Sequence, residues 1–262
     1  MKSLLDYRCL YGLIGYPLDH SLSREFFNSK FLAEGIDARY ANFEIERVSQ
    51  IMDLIASYPN LCGLNVTSPF KQQVIPLLDS LDSLAQAVDA VNVIRIIRDT
   101  ATGQVVRLEG YNSDVTGFDG TIADIDTTRY SQAMVLGTGG AARAVKAALE
   151  GRGIVVQLVS RHKTGQVLVY DEITRAMVAS HPLVVNATPL GKYPDVDSCP
   201  EFPYRFLTPH HMCYDLVYNP EQTLFLRNAA RQGALTRNGL EMLLLQAFHS
   251  FDIWTRSTAS SR

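Results

Sequence analysis

Met134-Val135-Leu136-Gly137-Thr138-Gly139-Gly140-Ala141-Ala142-Arg143-Ala144-Val145 is the stretch on which the fold turns. An apolar run, Ala133 to Leu136, enters a glycine cluster, and Ala144, Val145, Ala147, Ala148 and Leu149 follow at helical spacing. That order reads as strand, tight turn, helix. The spacing Gly137-x-Gly139-x-x-Ala142 fits a dinucleotide fingerprint in its form with alanine last. Gly137 permits the turn, Gly139 lets the backbone approach a pyrophosphate, and the small Ala142 lets helix and strand pack closely. N–H groups at the helix start, from Gly140 and Ala141 onward, then face the phosphates. A plain packing turn has the same glycines, so the neighbouring elements matter. The next apolar run, Ile154 to Val159, completes a βαβ unit of the length such a site needs. The chain before this unit is then expected to carry the substrate.

Working outward, β and α patterns alternate along the chain, which predicts an α/β protein. Cys9–Gly15, Ala38–Ile45 and Leu61–Val66 read as strands, with helices over Leu22–Ala33 and Val48–Tyr58 between them. Pro69–Leu78 is expected to be a helix with proline in its first turn. Val91–Ile97 and Gln104–Leu108 read as a hairpin, and a helical pattern begins at Val115. Later strands fall at Leu183–Asn186 and Met212–Val217, with an irregular Pro-, Asp- and Tyr-rich excursion, Pro189 to Pro209, between them. Helices over Pro220–Gln232 and Leu240–Trp254 close the pattern. Phe26, Phe27 and Phe31 are core residues of the first helix, and Trp254 anchors the last. The mid-chain position of the glycine turn predicts two lobes: 1–113, completed by 240–262, and 114–239. A cleft between lobes is a frequent place for a small-molecule site.

Composition narrows the function. Of 262 residues, 47% are hydrophobic and 19% charged, enough to build a core. A net charge of −3 gives no electrostatic reason to expect nucleic acid or an acidic membrane surface as partner. The four cysteines form no C-x-x-C pair, so free thiols in a reducing compartment are expected rather than disulfides or zinc. His210-His211 lacks ligand spacing and no metal is expected. Asp6 and Arg8 interrupt the apolar start, and no run approaches membrane length, so a cytoplasmic location is expected.

Several polar residues stand where chemistry is possible. Asn65-Val66-Thr67-Ser68-Pro69-Phe70-Lys71 sits at the carboxyl end of a strand, the edge where open α/β sheets bind ligands. Lys71, in a helix's first turn, meets the positive end of the dipole unless something compensates; as a surface lysine it needs no function. Asp114 opens a helix and serves as its N-cap, or does more. Asn92 interrupts an apolar strand, so its amide is either satisfied internally or faces a ligand. Ser21 and Ser23 precede a helix, which they either cap or help to hold a carboxylate.

Taken together, the motifs make the whole chain resemble the shikimate dehydrogenase family, NADP-dependent reductases of 3-dehydroshikimate. They are Gly12 to Pro17 with His20 to Ser23; Asn65 to Thr67 with Pro69 to Lys71; Ala90 to Asn92; Asn112 to Asp114; Gly137 to Ala142; Asn186 to Gly191; Tyr214 to Tyr218; and Gly239-Leu240 through Gln246-Ala247. The resemblance implies a substrate-binding first lobe completed by the last helix, and a Rossmann-type second lobe. It implies that Ser21 and Ser23, with Tyr218 nearby, bind the substrate carboxylate. Asn65, Thr67, Asn92 and Gln246 would hold the hydroxyls and the carbonyl region. Lys71 and Asp114 would be the catalytic pair, and Asn186, Thr188, Leu216 and Gly239 would lie against the cofactor. A ketone that receives a hydride becomes an alkoxide, which an ammonium can stabilise and protonate.

Cofactor choice is read from the second strand of the nucleotide unit. An enzyme using NAD places an acid there for the ribose 2′-hydroxyl. Here the end reads Val159-Ser160-Arg161-His162-Lys163, with no acid until Asp171, and Arg161 suits a 2′-phosphate. NADP is expected, although the family's usual Asn-Arg-Thr is altered here. Arg24 also departs from the family's common proline after the serine pair. Two alternatives stand beside this reading: a quinate-type dehydrogenase that accepts NAD, and a non-catalytic sensor of the dinucleotide or of shikimate. Monomer and homodimer both remain compatible with the sequence.

Overall fold

Strands and helices alternate as the apolar spacing predicts, and the chain divides into two units, Met1–Ser113 with Ala247–Arg262, and Asp114–Gln246. The computed structural model describes residues 2–18 and 22–256. The division falls inside the last helix, so Gln246 belongs to the second unit, where the sequence had placed the return at residue 240.

The first unit contains β1 (Cys9–Gly15), α1 (Ser23–Ala33), β2 (Ala38–Glu44), α2 (Gln50–Ser57), β3 (Leu61–Val66), β4 (Ser80–Leu81), α3 (Ser83–Val88), β5 (Val93–Arg98) and β6 (Val105–Tyr111). Its six strands lie in the order β2-β1-β3-β5-β6-β4. Strands β2, β1 and β3 are parallel, while β5 runs antiparallel to both β3 and β6. Both faces of β1 are covered, as befits a central parallel strand. Leu10 and Ile14 pack with α2 residues Ile51 and Ile55 on one face. Tyr11 and Leu13 pack on the other with α1 residues Phe27 and Phe31 and with Trp254. The Trp254 ring stacks on Tyr11 at 4.7 Å, and its indole N–H donates to the Ile94 carbonyl at 3.1 Å. Gly63 lies beneath that ring, where any Cβ would overlap it.

The second unit contains β7 (Gln132–Leu136), α5 (Gly140–Gly151), β8 (Val155–Ser160), β9 (Leu168–Val169), α6 (Arg175–Ser180), β10 (Leu183–Asn186), β11 (Met212–Asp215), α7 (Leu224–Arg231) and β12 (Leu235–Arg237). Helix α4 (Ser113–Thr121) leads into it and α8 (Leu240–Thr255) leaves it. Its sheet is wholly parallel in the order β12-β11-β10-β7-β8-β9. The continuous apolar run of β7 fits a strand buried on both faces. From β7 the connection goes first to β8 on one side, and later elements build β10 and β11 on the other. The reversal therefore falls between β7 and β10.

Some expectations are corrected. Residues 69–78 form turns and a short 3-10 segment, Ile75–Leu77, rather than an α-helix. Pro76 explains this: it has no N–H to give to Gln72, and its ring would clash with that carbonyl. The Gln72 carbonyl instead accepts from Ile75 at 3.1 Å. Lys71 thus sits on a turn, and the dipole argument against it lapses. The helix expected over Pro220–Gln232 starts only at Leu224, capped by the Thr223 hydroxyl. Ser23 is the first residue of α1 and does not cap it, since the N-cap position is Leu22 and carries no side-chain bond. Ser21 lies outside the described residues. Asp114 falls within the first turn of α4 rather than at its cap.

Candidate active site

The carboxyl ends of β1 and β3 are laced together. Thr67 N–H donates to the Ile14 carbonyl at 2.9 Å and Tyr16 N–H to the Ser68 carbonyl at 3.2 Å. A Cβ on Gly15 would overlap the Thr67 methyl, so glycine lets the two strand ends approach. Thr67 and Lys71, both half-buried, follow on from this edge. The Lys71 carbonyl accepts from Val91 N–H at 2.8 Å, which fixes the turn to the segment entering β5.

Beside it lies a buried polar network. Tyr40 hydroxyl donates to Asn65 Oδ1 at 2.8 Å, and Asn65 Nδ2 donates to Ser250 Oγ at 2.9 Å and to the Asn92 carbonyl at 3.3 Å. Ser23 hydrogen-bonds the Tyr40 hydroxyl, whose pKa burial drives upward. Asn92 Oδ1 accepts the Ser113 N–H at 2.7 Å, and its Nδ2 donates to Ser113 Oγ at 3.0 Å. Ser113 and Ser250 hydroxyls lie 3.2 Å apart. Both ends of the Asn92 amide are thus engaged by Ser113, which fixes its orientation. Its Oδ1 meets one of the N–H groups that the start of α4 leaves without an intrahelical partner. Asp114, buried, comes next in the chain. Sequence reasoning missed Tyr40 and Ser250. A tyrosine on an alternating strand and a serine in an apolar helix carry no local mark of a shared network.

In the second unit the carboxyl ends are tied in a row. Gly137 N–H donates to Val159 carbonyl at 2.7 Å, Ala187 N–H to Leu136 carbonyl at 2.9 Å, and Leu216 N–H to Asn186 carbonyl at 2.9 Å. The glycine turn and the Asn186–Thr188 segment therefore flank the β7/β10 reversal, the position where open α/β sheets bind ligands. Gly137 has φ +118°, and a Cβ there would lie 3.1 Å from the Ala187 carbonyl oxygen. Gly139 caps α5 without a side-chain bond, and a Cβ on it would meet nothing within 4 Å. Open space over uncapped N–H groups fits a pyrophosphate. Gly239 approaches Leu216 so closely that a Cβ would run into the Leu216 carbonyl.

Asn186 is held from below. Its Nδ2 donates to Asp215 Oδ1 at 2.9 Å, and its Oδ1 accepts from Thr188 N–H at 3.0 Å and Thr188 hydroxyl at 2.6 Å. Asp215 is fully buried and also accepts from Val217 N–H at 3.0 Å and Thr223 hydroxyl at 2.5 Å. Burial pushes its pKa up to about 6 despite these donors. Asp215 lies within the Tyr214 to Tyr218 motif, where its residue type alone gives no sign of this role.

At the end of β8, Ser160 is half-buried and its hydroxyl accepts from His162 N–H at 3.2 Å; Arg161 is exposed. Lys163 pairs with Glu172, so one cation of this segment is already matched by a carboxylate. Tyr218 and Gln246 are half-buried, and Gln246 Nε2 donates to the Leu243 carbonyl at 3.0 Å. His211 is buried between Thr208 and the Val178 carbonyl, a structural histidine.

A profile described as the shikimate dehydrogenase substrate-binding domain matches residues 13–94. Over 272 aligned residues the chain is 36% identical to the shikimate dehydrogenase (NADP(+)) of Desulforamulus reducens, covering 95% of this chain and 90% of that protein. The chain belongs to the shikimate dehydrogenase family. Solved structures extend this likeness to the fold. One is shikimate 5-dehydrogenase from Thermus thermophilus in complex with NADP(H) and shikimate. It has a TM-score of 0.80 and 28% identity, covering 94% of this chain and 93% of that one. A quinate dehydrogenase from Corynebacterium glutamicum in complex with NAD matches with the same TM-score, identity and coverage. Family membership makes the chain an oxidoreductase with a two-lobe α/β architecture. Among the described residues no helix is long and apolar enough to cross a membrane.

Proposed function

We propose that the protein is an NADP-dependent shikimate dehydrogenase that interconverts 3-dehydroshikimate and shikimate in the cytoplasm, as a monomer or homodimer. The observation that carries this reading is the match to a shikimate dehydrogenase (NADP(+)) over 95% of the chain, through both units. When bound, NADPH supplies a hydride to the substrate carbonyl carbon.

Residues of the second unit fit the group. Gly137, Gly139, Gly140 and Ala141 would hold the pyrophosphate through backbone N–H groups. Arg161, beside Ser160, would pair with the 2′-phosphate. Asn186, Thr188, Leu216 and Gly239 would line the remainder. Ser21 and Ser23 would bind the substrate carboxylate, with Tyr218. Asn65, Thr67, Asn92 and Gln246 would orient the ring hydroxyls, and the internal bonds of Asn65 and Asn92 make both amides rigid. Lys71 donates its proton to the forming alkoxide and recovers it in the reverse direction, while Asp114 orients the ammonium. General acid catalysis of this kind contributes roughly 10²–10⁴-fold.

The test is steady-state kinetics with shikimate and quinate, each with NADP⁺ and NAD⁺, followed by the absorbance of the reduced nicotinamide. The highest kcat/KM is expected for shikimate with NADP⁺. A preference for quinate with NAD⁺ would favour the second reading, which rests on the equally good match to the quinate dehydrogenase fold. No turnover with any pair would refute both.

A further inference from the structure

The amino ends of β1 and β3 carry two thiols, Cys9 and Cys62, at the end of the sheet away from Asn65 and Thr67. Both are half-buried and face the same side as Tyr11 and Trp254. They open into a cavity of about 650 Å³ whose lining includes Arg8, Arg98 and Asp37. The two side chains hydrogen-bond each other, and Tyr11 also hydrogen-bonds the Cys9 sulfur. Cys62 Sγ lies 3.4 Å from the Asn60 carbonyl as well. A thiol has one proton, so Cys62 donates either to that carbonyl or to Cys9. Once Cys9 ionises, donation to its sulfur is the stronger choice.

We propose that Cys9 and Cys62 are an oxidisable dithiol, in which Cys9 reacts with hydrogen peroxide and Cys62 resolves the product as a disulfide. In the first step the Cys9 thiolate attacks one peroxide oxygen, the O–O bond breaks, and the departing hydroxide takes a proton to leave as water. Cys9 is now a sulfenic acid. In the second step the Cys62 sulfur attacks the Cys9 sulfur, the S–O bond breaks, and the hydroxyl leaves as water with the Cys62 proton. The protein loses two protons and two electrons, and one peroxide becomes two waters.

The site supplies what each step needs. Two hydrogen bonds and the nearby Arg8 charge lower the Cys9 pKa to about 6, against burial and Asp37, so the thiolate prevails at neutral pH. The same contact raises the Cys62 pKa and keeps its proton in place until the second step. Cys9 and Cys62 lie on neighbouring strands, and Cys62 falls between Leu61, which is opposite Leu10, and Gly63, which is opposite Tyr11. The β1/β3 register shifts at Leu10/Tyr11, beside the pair, where the ladder is already irregular. Cys213 is the contrast: deep burial pushes its thiol up.

The reduced whole protein is treated with equimolar hydrogen peroxide, alkylated, and mapped by peptide mass spectrometry. A Cys9–Cys62 linked peptide, two hydrogens lighter than the sum of its parts, is expected as the main product. In Cys62→Ser the sulfenic acid persists and a cyclic diketone labels Cys9. Irreversible oxidation of Cys9 with Cys62 still alkylated in the wild type would overturn the proposal. So would Cys199 as the first cysteine consumed. The wild-type map decides even where the serine variant does not fold.

Discussion

Replacing Asp215 by Asn is expected to abolish a pH dependence of stability that the wild type carries. Asp215 is buried, and its pKa rises from 3.8 to about 6 on folding because burial penalises the charged form more than its donors compensate. A carboxyl whose folded pKa is raised adds stability that is complete below pH 3.8 and is lost as pH climbs through about 6. The difference between those two values corresponds to about 3 kcal/mol. Asparagine keeps the shape and accommodates the same partners. Its oxygen accepts from Asn186 and Val217, and its amide donates to Thr223, whose hydroxyl turns to accept. The variant is therefore expected to be more stable than wild type by up to about 3 kcal/mol at pH 7.5, with the gap closing near pH 4. Urea unfolding at half-unit pH intervals measures the difference. Amide hydrogen exchange in β10 and β11 assigns it to the second unit. The exposed carboxylates with lowered pKa, such as Asp124 beside Arg237, act in the opposite direction but are common to both proteins. Stability curves that run parallel from pH 4 to pH 7.5 would refute the reasoning.

Lys71→Ala is expected to fold and bind NADPH but lose on the order of 10²-fold or more in kcat; turnover at the wild-type rate would remove Lys71 from the chemistry. Arg161→Ala should weaken NADPH about tenfold or more while changing NADH little, as loss of a charge-assisted bond predicts, and equal losses measured by fluorescence titration would refute the 2′-phosphate assignment. Gly239→Ala forces a methyl against the Leu216 carbonyl. It should cost roughly 1–3 kcal/mol, read as a lowered melting temperature with a raised KM for NADPH, and wild-type values for both would show that the backbone yields freely. Trp254→Phe leaves the Ile94 carbonyl without its indole partner. The cost should be about 1–3 kcal/mol in urea titration.

The parallel core was legible because apolar runs bounded by glycine and polar clusters mark buried strands, as in Leu61–Val66 and Leu183–Asn186. Short elements were not. Helix α6 has six residues and β12 three, too few for a period to show. Pro76 was visible, but proline at the start of the segment drew the helix reading past it. For the site, the sequence marked residues whose type is unusual in place: Asn92 in an apolar strand, Lys71 after a strand, Gly137 before a helix. It did not mark Tyr40 or Ser250, because their role arises from hydrogen bonds between elements far apart in the chain. Asn65 and Ser250, for example, are 185 positions apart.

Trp254 has a consequence for how the protein is made. Synthesis runs from the amino end, yet the core around Tyr11 and Phe27 lacks its largest aromatic ring until α8 emerges. The second unit, contiguous in sequence, can finish folding first, so the ordinary rule that the leading domain matures earliest is inverted here. During the roughly ten seconds needed to translate that intervening unit, the early strands wait with an indole-shaped vacancy above Gly63. A nascent chain in that state is the species a chaperone would meet.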